Sequence, residues 1–292
     1  MDSVRNADAV AILGVPVSIL TMSTAVERIG SWIGDGLNRG RYVCVADVNN
    51  VMLAHQDPKH LAALRGADMV TPDGMPLVWV SWLRGVKETR RVSGPDLLPE
   101  LCARSEETGW RHYFYGGADG VADKMVVKLT AEHPRLQVAG TECPPFRPLN
   151  DAEKEATIAR IKETKADIVW VGIGCPKQEA WMHEHVGRLD GVVLIGVGAA
   201  FDFHSGRVAR APLWMQHNGL EWLHRLYSEP KRLWRRYLIR APQFVALSLR
   251  ETLATRRSRR KRPEIGCRCS SRIGRSSTRS TLNPCACARP FR

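Results

Sequence analysis

The six residues TPDGMP, at positions 71–76, follow directly on the short apolar segment of residues 67–70. Pro and Gly on either side of Asp73 mark a turn whose backbone is restrained. Residues 76–83 then return to an apolar, helical pattern. This order of strand, turn and helix is typical of a βα unit, in which residues at strand ends build the functional site. Asp73 is therefore our candidate catalytic residue, although an ordinary Asx turn or a helix N-cap explains the same residues.

Similar units recur along the chain. Strands are predicted at residues 9–13, 42–47, 110–115, 136–139, 168–171 and 192–197, and helices at residues 23–35, 50–64, 97–107, 121–132 and 151–164. Strands that alternate with helical segments of about 10–15 residues indicate βα units and a largely parallel sheet. The predicted fold class is α/β.

The positive charge is concentrated at one end of the chain. The 292 residues carry a net charge of +13, but residues 255–292 contain twelve Lys and Arg and a single acid, which leaves the preceding residues at +2. A nucleic-acid-binding protein, which the total charge suggests, would need a basic surface on the folded body. We therefore predict no nucleic-acid partner, and we predict a disordered basic tail over residues 255–292.

Residues 207–254 differ in composition from the residues before them. Aromatic residues alternate there with arginines and lysines, and no strand pattern is present. Such a helical appendage suits a membrane interface, where aromatic rings and cations meet the lipid headgroups. A helix that packs its aromatic residues on the sheet and leaves its cations in water explains the pattern equally well. No run approaches the roughly 20 apolar residues of a spanning helix, so we expect a cytoplasmic protein.

Three further turns combine a strand end with glycine. The first contains Gly116 and Gly117, the second contains Gln178, and the third ends at Asp202. In a parallel sheet these turns converge with Asp73 at one edge, where nucleotide-type ligands bind. The glycines also suggest a nicotinamide-dependent oxidoreductase, but a complete dinucleotide fingerprint is missing.

Six motifs together resemble the WecG/TagA/CpsF glycosyltransferases, glycosyltransferase family 26. In chain order they read TPDGMPLVW, RVSGPDLL, FYGGADG, GIGCPKQEAWM, GVGAAFDFHSG and RAPLWMQHNGLEWLHRLYSEPKR, and the resemblance extends over residues 13–244. It implies a Rossmann-like core with helices on both faces over residues 1–206, followed by the appendage at residues 207–254. It also implies an inverting hexosyl transfer in cell-surface or extracellular polysaccharide synthesis. The sugar, of the N-acetylmannosamine or uronic acid type, moves from a UDP-sugar to a polyprenyl-diphosphate-linked saccharide at the inner face of the cell membrane.

The resemblance also assigns residues. Asp73 matches the proposed general base, which takes the proton of the acceptor hydroxyl group. Arg91 matches a position suited to a diphosphate. The remaining candidates fall into a substrate-binding group of Thr71, Gly116, Gly117, Gln178 and Asp202, and a membrane- or diphosphate-binding group of Arg210, Arg225 and Arg232.

One position departs from the family pattern. Asp47 stands where family members commonly have Asn, which makes Asp47 and the nearby Asn50 additional substrate-binding candidates. The chain has no D-x-D pair for a metal ion, so we predict no metal and no cofactor, with arginines stabilising the leaving group. The predicted partners are the UDP-sugar, the lipid-linked acceptor and, peripherally, the membrane; homo-oligomerisation stays an open alternative.

Overall fold

The computed structural model describes residues 8–217 and 219–261, which contain eight strands. The strands are β1 (Ala9–Ile12), β2 (Val15–Ser18), β3 (Arg41–Ala46), β4 (Met69–Pro72), β5 (Arg111–Gly116), β6 (Gln137–Glu142), β7 (Ile168–Gly172) and β8 (Val193–Gly196). Strands β3 to β8 form one sheet in the order β4-β3-β8-β7-β5-β6. Every neighbouring pair in this sheet is parallel. The predicted α/β class and the parallel sheet are confirmed.

Helices connect the strands and continue beyond the last one. In chain order they are α1 (Met22–Trp32), α2 (Val48–Gln56), α3 (Pro58–Gly66), α4 (Met75–Leu83), α5 (Gly94–Thr108), α6 (Val121–Glu132), α7 (Asp151–Glu163), α8 (Lys177–His185), α9 (Ala200–His204), α10 (Leu213–His217), α11 (Glu221–Ser228), α12 (Pro230–Trp234) and α13 (Ala241–Lys261). A short 3-10 helix, Val186–Arg188, follows α8, and a π-helical segment, Arg235–Arg240, leads into α13.

The sheet is buried on both faces because alternate residues of its strands enter two separate apolar clusters. On β7, Val169 and Val171 belong to one cluster, and Ile168 and Trp170 belong to the other. Residues of α2, α3, α4, α7 and α8 fill the first cluster, whereas residues of α1, α5, α6 and α9 fill the second. This two-sided cover is what a parallel sheet needs to exclude water. It confirms a Rossmann-like arrangement with helices on both faces.

The N-terminal strand prediction was incomplete, because residues 9–18 form a hairpin. Strand β1 pairs antiparallel with β2, and Ile12 lies opposite Val15. The two turn residues, Leu13 and Gly14, have φ values of 48° and 86°. A two-residue hairpin turn needs such positive values. Leucine gives no signal for that conformation, so the sequence shows only an interrupted apolar run.

The single helix predicted over residues 50–64 was wrong. Helix α2 ends at Gln56, and Asp57 accepts a hydrogen bond from the main-chain nitrogen of Lys59 at 2.9 Å, which caps α3. Pro58 occupies the first turn of α3, where its missing N–H group is tolerated. Apolar residues recur with helical spacing on both sides of Asp57 and Pro58, so this pattern alone does not show where α2 ends.

The C-terminal helices are attached to the core. Phe244 of α13 is buried in the first apolar cluster, and Glu251 pairs with Arg84 at 2.6 Å. Helix α13 runs on to Lys261, so the disordered tail predicted from residue 255 does not begin there. The rest of that tail, residues 262–292, lies outside the described residues.

Candidate active site

The carboxyl ends of the six parallel strands form one edge, and Asp73 lies there directly after β4. Its main-chain nitrogen donates to Ala46 O at 2.8 Å, which ties the turn to the neighbouring strand β3. Its main-chain oxygen accepts from Arg91 Nε at 3.0 Å. The backbone of the candidate base is therefore held on both sides, and among the described residues no side chain donates to its carboxylate.

Arg91 joins this turn to the C-terminal helices. Its Nη2 atom donates to Glu221 Oε2 of α11 at 2.9 Å and lies 3.7 Å from Asp96 Oδ2 of α5. Arg210 approaches the same two acids, at 2.6 Å from Asp96 Oδ1 and 3.5 Å from Glu221 Oε1. Arg91, Asp96, Arg210 and Glu221 thus form a four-charge network in which the two cations balance the two acids.

The surroundings make Asp73 a better base than an exposed aspartate. Burial is the largest influence and raises the pKa of Asp73 from 3.8 to about 6. Arg91 and Arg225 act in the opposite direction, and Glu221 and Asp96 add to the increase. A carboxylate with a pKa near 6 is ionised at neutral pH and still has affinity for a proton, as general-base chemistry needs.

Arg210 provides an observation that points to an anion. Its Nη2 atom is buried and has no hydrogen-bond partner among the described residues. Its other nitrogens are already in contact with Asp96 and Glu221. An unused guanidinium donor beside a balanced network is suited to the oxygen atoms of a phosphate group.

Gln178 lies between the ends of β7 and β8. It is buried, and its Nε2 atom donates to Glu179 Oε1 at 2.9 Å. An ideal Cβ on Gly198 would lie 3.6 Å from its Oε1 atom, which has no hydrogen-bond partner among the described residues. Gln178 is therefore at the predicted edge with one acceptor unused.

Asn50 lies at the centre of a buried polar cluster. Its Oδ1 atom accepts from His60 Nε2 at 2.9 Å and from Cys175 Sγ at 3.1 Å. His60, Cys175 and Glu179 place their ligand atoms within 4.8 Å of one another, which is close enough to consider a metal ion. Burial, however, raises the pKa of Cys175 and of Glu179, which disfavours the charged forms that bind a metal ion best. The cluster is a buried hydrogen-bonded network, and our expectation of no metal stays a prediction.

The glycines of the first turn have a packing role. A Cβ on Gly116 would lie 2.5 Å from Gly172 C, and a Cβ on Gly117 would lie 3.1 Å from Val121. Gly174 differs, because its φ is 84° and nothing lies within 4 Å of the corresponding position. The backbone at Gly174, in the turn that precedes α8, is therefore open at this edge, while substrate binding by Gly116 and Gly117 stays a prediction.

The other predicted residues have different surroundings. Thr71 is fully buried on β4, and its hydroxyl group has no partner among the described residues. Asp202 lies on α9, 3.5 Å from Arg207. Arg225 lies over the ring of Phe203 and contributes to the field at Asp73.

Arg232 has no contact with the four-charge network of Arg91, Asp96, Arg210 and Glu221 among the described residues. It is largely exposed and pairs with Glu229, three residues earlier. Its assignment to a diphosphate stays a prediction.

Asp47 has a structural role that the sequence did not reveal. Its Oδ1 atom accepts from the main-chain nitrogen of Asn50 at 2.9 Å and so caps α2. Its other oxygen pairs with Arg236 of the π-helical segment, and Arg240 of the same segment donates to Asn49. Sequence reasoning missed both arginines as neighbours of the strand ends, since nearly 190 residues separate them from α2.

The C-terminal helices expose apolar side chains. Trp222 and Leu223 of α11 are 41% and 45% exposed, and Tyr227 is 89% exposed. Trp79 and Leu83 of α4, which α13 contacts, are also half exposed. In the part of the chain that the structure describes, no helix combines the length and the apolarity that crossing a bilayer requires.

Comparisons with known proteins show the family of this chain. The model of the glycosyl transferase WecG/TagA/CpsF family matches residues 10–258. An N-acetylglucosaminyldiphosphoundecaprenol N-acetyl-beta-D-mannosaminyltransferase of Bacillus spizizenii is 30% identical over 75% of this chain and 82% of its own length. A protein of the same name from Staphylococcus aureus is 26% identical over 79% of this chain and 89% of its own length. The chain belongs to the WecG/TagA/CpsF family of glycosyltransferases.

Proposed function

We propose that this enzyme transfers an N-acetylmannosamine-type sugar from a UDP-sugar to a saccharide linked to polyprenyl diphosphate. The names of the relatives support the sugar and the lipid-linked acceptor. The observation that carries the proposal is Asp73, a half-buried carboxylate with a raised pKa and no side-chain donor among the described residues. Arg91 donates to its main-chain oxygen, and Arg225 also acts on its charge.

In the proposed reaction, Asp73 removes the proton from an acceptor hydroxyl group while that oxygen forms a bond to C1 of the donor sugar. The bond between C1 and the diphosphate oxygen breaks, and UDP leaves with the electron pair. Attack from the face opposite to UDP inverts the configuration at C1. The proton stays on Asp73 until it is released to solvent.

Arg210 and Arg91 stabilise the negative charge of the diphosphate. Arg210 has a buried donor without a partner among the described residues, and Arg91 is 21% exposed. Negative charge develops on the leaving group as the bond breaks, and donors fixed in advance stabilise that charge. Arg225 also favours the ionised form of Asp73 and is a third cation for this role.

The first experiment identifies the donor and tests the base. UDP-sugars, including those of N-acetylmannosamine and of uronic acids, are incubated with a short-chain polyprenyl-diphosphate acceptor, and products are identified by mass. Asp73→Asn is expected to abolish transfer and to retain UDP binding, which a UDP-dependent rise in melting temperature measures. Unchanged turnover in Asp73→Asn would exclude Asp73 from the mechanism, and a thermal shift with NAD but none with UDP would contradict the whole proposal.

We also propose that the enzyme works peripherally at the inner face of the membrane. The exposed apolar side chains of α11 and the arginines around them support contact with anionic lipid. Trp222→Ser combined with Tyr227→Ser is expected to weaken flotation with anionic vesicles while transfer to a water-soluble short-chain acceptor continues. Phe146→Ser, which removes a 96% exposed ring outside the C-terminal helices, is the matched control. Equal flotation of parent and double variant would refute the contact.

A further inference from the structure

Arg91 lies beside the candidate base without pairing with its carboxylate. Its Nε atom donates to the main-chain oxygen of Asp73, and its Nη2 atom donates to Glu221. Asp96 lies 3.7 Å from the same Nη2 atom. Two edges of the guanidinium are therefore committed to the backbone and to acidic side chains.

This arrangement is unusual for an arginine so close to an aspartate. An arginine beside a carboxylate ordinarily forms a forked ion pair with it. Such a pair lowers the pKa of the carboxylate by about 1–3 units and uses the oxygen atoms that a base needs. At Asp73, something must prevent the pair from forming.

Glu221 provides the competing acceptor. It is 17% exposed, and its two oxygens lie 2.9 Å from Arg91 Nη2 and 3.5 Å from Arg210 Nε. Glu221 therefore holds both Arg91 and Arg210 against α11. Glu221 also belongs to the long C-terminal motif that carries the family resemblance, but its sequence context gave no hint of a partner 130 residues away.

We propose that Glu221 is a positioning residue, which holds Arg91 on the main chain of Asp73 and away from its carboxylate, so that the base stays free to accept a proton. This inference rests on the proposed function, because it gives Asp73 the role of base. It goes beyond that function in naming the residue that keeps the base available.

The electrostatic surroundings of Asp73 agree with the proposal. Arg91 and Arg225 favour the ionised form of Asp73, while burial, Glu221 and Asp96 favour the protonated form. Removal of the charge at residue 221 has two effects, and both lower the pKa of Asp73. It deletes a negative neighbour of Asp73, and it frees Arg91 to turn toward the carboxylate.

The test is the pH profile of kcat/KM for Glu221→Gln, measured with the donor and acceptor identified above. The acidic limb of the parent is expected near pH 6, where Asp73 becomes protonated. In Glu221→Gln this limb is expected to move down by about 1–3 pH units, with a lower plateau because a weaker base remains. Glu221→Asp keeps the charge on a shorter side chain, so its limb is expected to move in the same direction by a smaller amount.

Glu229→Gln is the matched control. Glu229 follows α11 directly and pairs with the exposed Arg232, so the variant removes the same charge from the same helical region outside the network. Its acidic limb is expected to coincide with that of the parent. A shift of equal size in Glu229→Gln would show a general charge effect and would overturn the proposal.

The remaining outcomes separate this inference from the proposed function. If Asp73→Asn still transfers sugar, the base assignment fails and the positioning role falls with it. If Asp73→Asn is inactive and both Glu221 variants keep the parental acidic limb, the proposed function stands and the positioning role is refuted. Because the position of the limb does not depend on the amount of folded protein, partial unfolding of Glu221→Gln does not imitate the expected result.

Discussion

Asp73→Asn is expected to raise the stability of the folded protein at alkaline pH while it removes the activity. The pKa of Asp73 is about 6 in the folded state, against 3.8 for an ordinary aspartate. Between these values the folded state binds a proton that the unfolded state has released, so the free energy of unfolding falls as the pH rises. The shift of about 2 units, at about 1.4 kcal/mol each, gives a destabilisation of about 3 kcal/mol above pH 7.

Asparagine has nearly the same shape as aspartate and carries no charge, so the variant avoids this destabilisation. Urea unfolding followed by tryptophan fluorescence at pH 8 is expected to give Asp73→Asn an advantage of up to about 3 kcal/mol. The advantage shrinks as the pH falls through 6, because the folded state then binds its proton, and it becomes small near pH 4, where the unfolded state begins to bind the proton as well.

An exposed carboxylate provides the control for this experiment. Asp190 lies at the surface, so the stability difference between Asp190→Asn and the parent is expected to vary little between pH 8 and pH 4.5. A stability advantage of Asp73→Asn that is equal at both pH values, or a loss of stability at pH 8, would refute the argument that burial raises the pKa of Asp73.

Three further predictions concern contacts that position the site. Gly172→Ala is expected to destabilise the protein by about 1–3 kcal/mol in urea unfolding, because its Cβ would lie 2.5 Å from the ring of Phe201. Gly187→Ala, which has open space, is expected to change the stability by less than about 0.5 kcal/mol, and an equal loss in both would contradict the packing argument. Asp47→Asn keeps the helix cap and loses only the charge facing Arg236. Asp47→Ala also loses the cap, so it is expected to destabilise the protein by about 1 kcal/mol more than Asp47→Asn does. Equal unfolding free energies of the two variants would show that the cap contributes nothing. Phe244→Ala is expected to reduce stability by about 3–5 kcal/mol and to expose α13 to proteolysis, and unchanged cleavage kinetics would show that α13 is held by other contacts.

The sequence predicts the sheet well because its strands carry two independent signals. A strand such as β7, with the residues IVWVG, is apolar on both faces and ends in glycine, and the helices around it have the expected period. The predictions failed where an apolar pattern continues across a break, so that the Gly or Pro at the break was given too little weight. The Leu13-Gly14 turn lies inside an apolar run, and Asp57 and Pro58 interrupt a helical period without changing it.

The site was predictable to a smaller extent. Asp73, Gln178 and Asp202 each follow a predicted strand, so parallel topology alone brings them to one edge of the sheet. Glu221, Arg236 and Arg240 lie on helices that have no strand to fix their position. Their partners are set by how α11 and the π-helical segment dock on the core, and such docking depends on contacts between residues far apart in the chain.

The four-charge network around Arg91 has a consequence for how this family can vary. Its two cations and two acids are only partly exposed and balance each other, so replacing one member leaves an uncompensated charge near the base. A paired change, such as the loss of Asp96 together with Arg210, restores the balance. We therefore expect residues 91, 96, 210 and 221 to change together among relatives, even though they belong to two motifs that lie far apart in the chain.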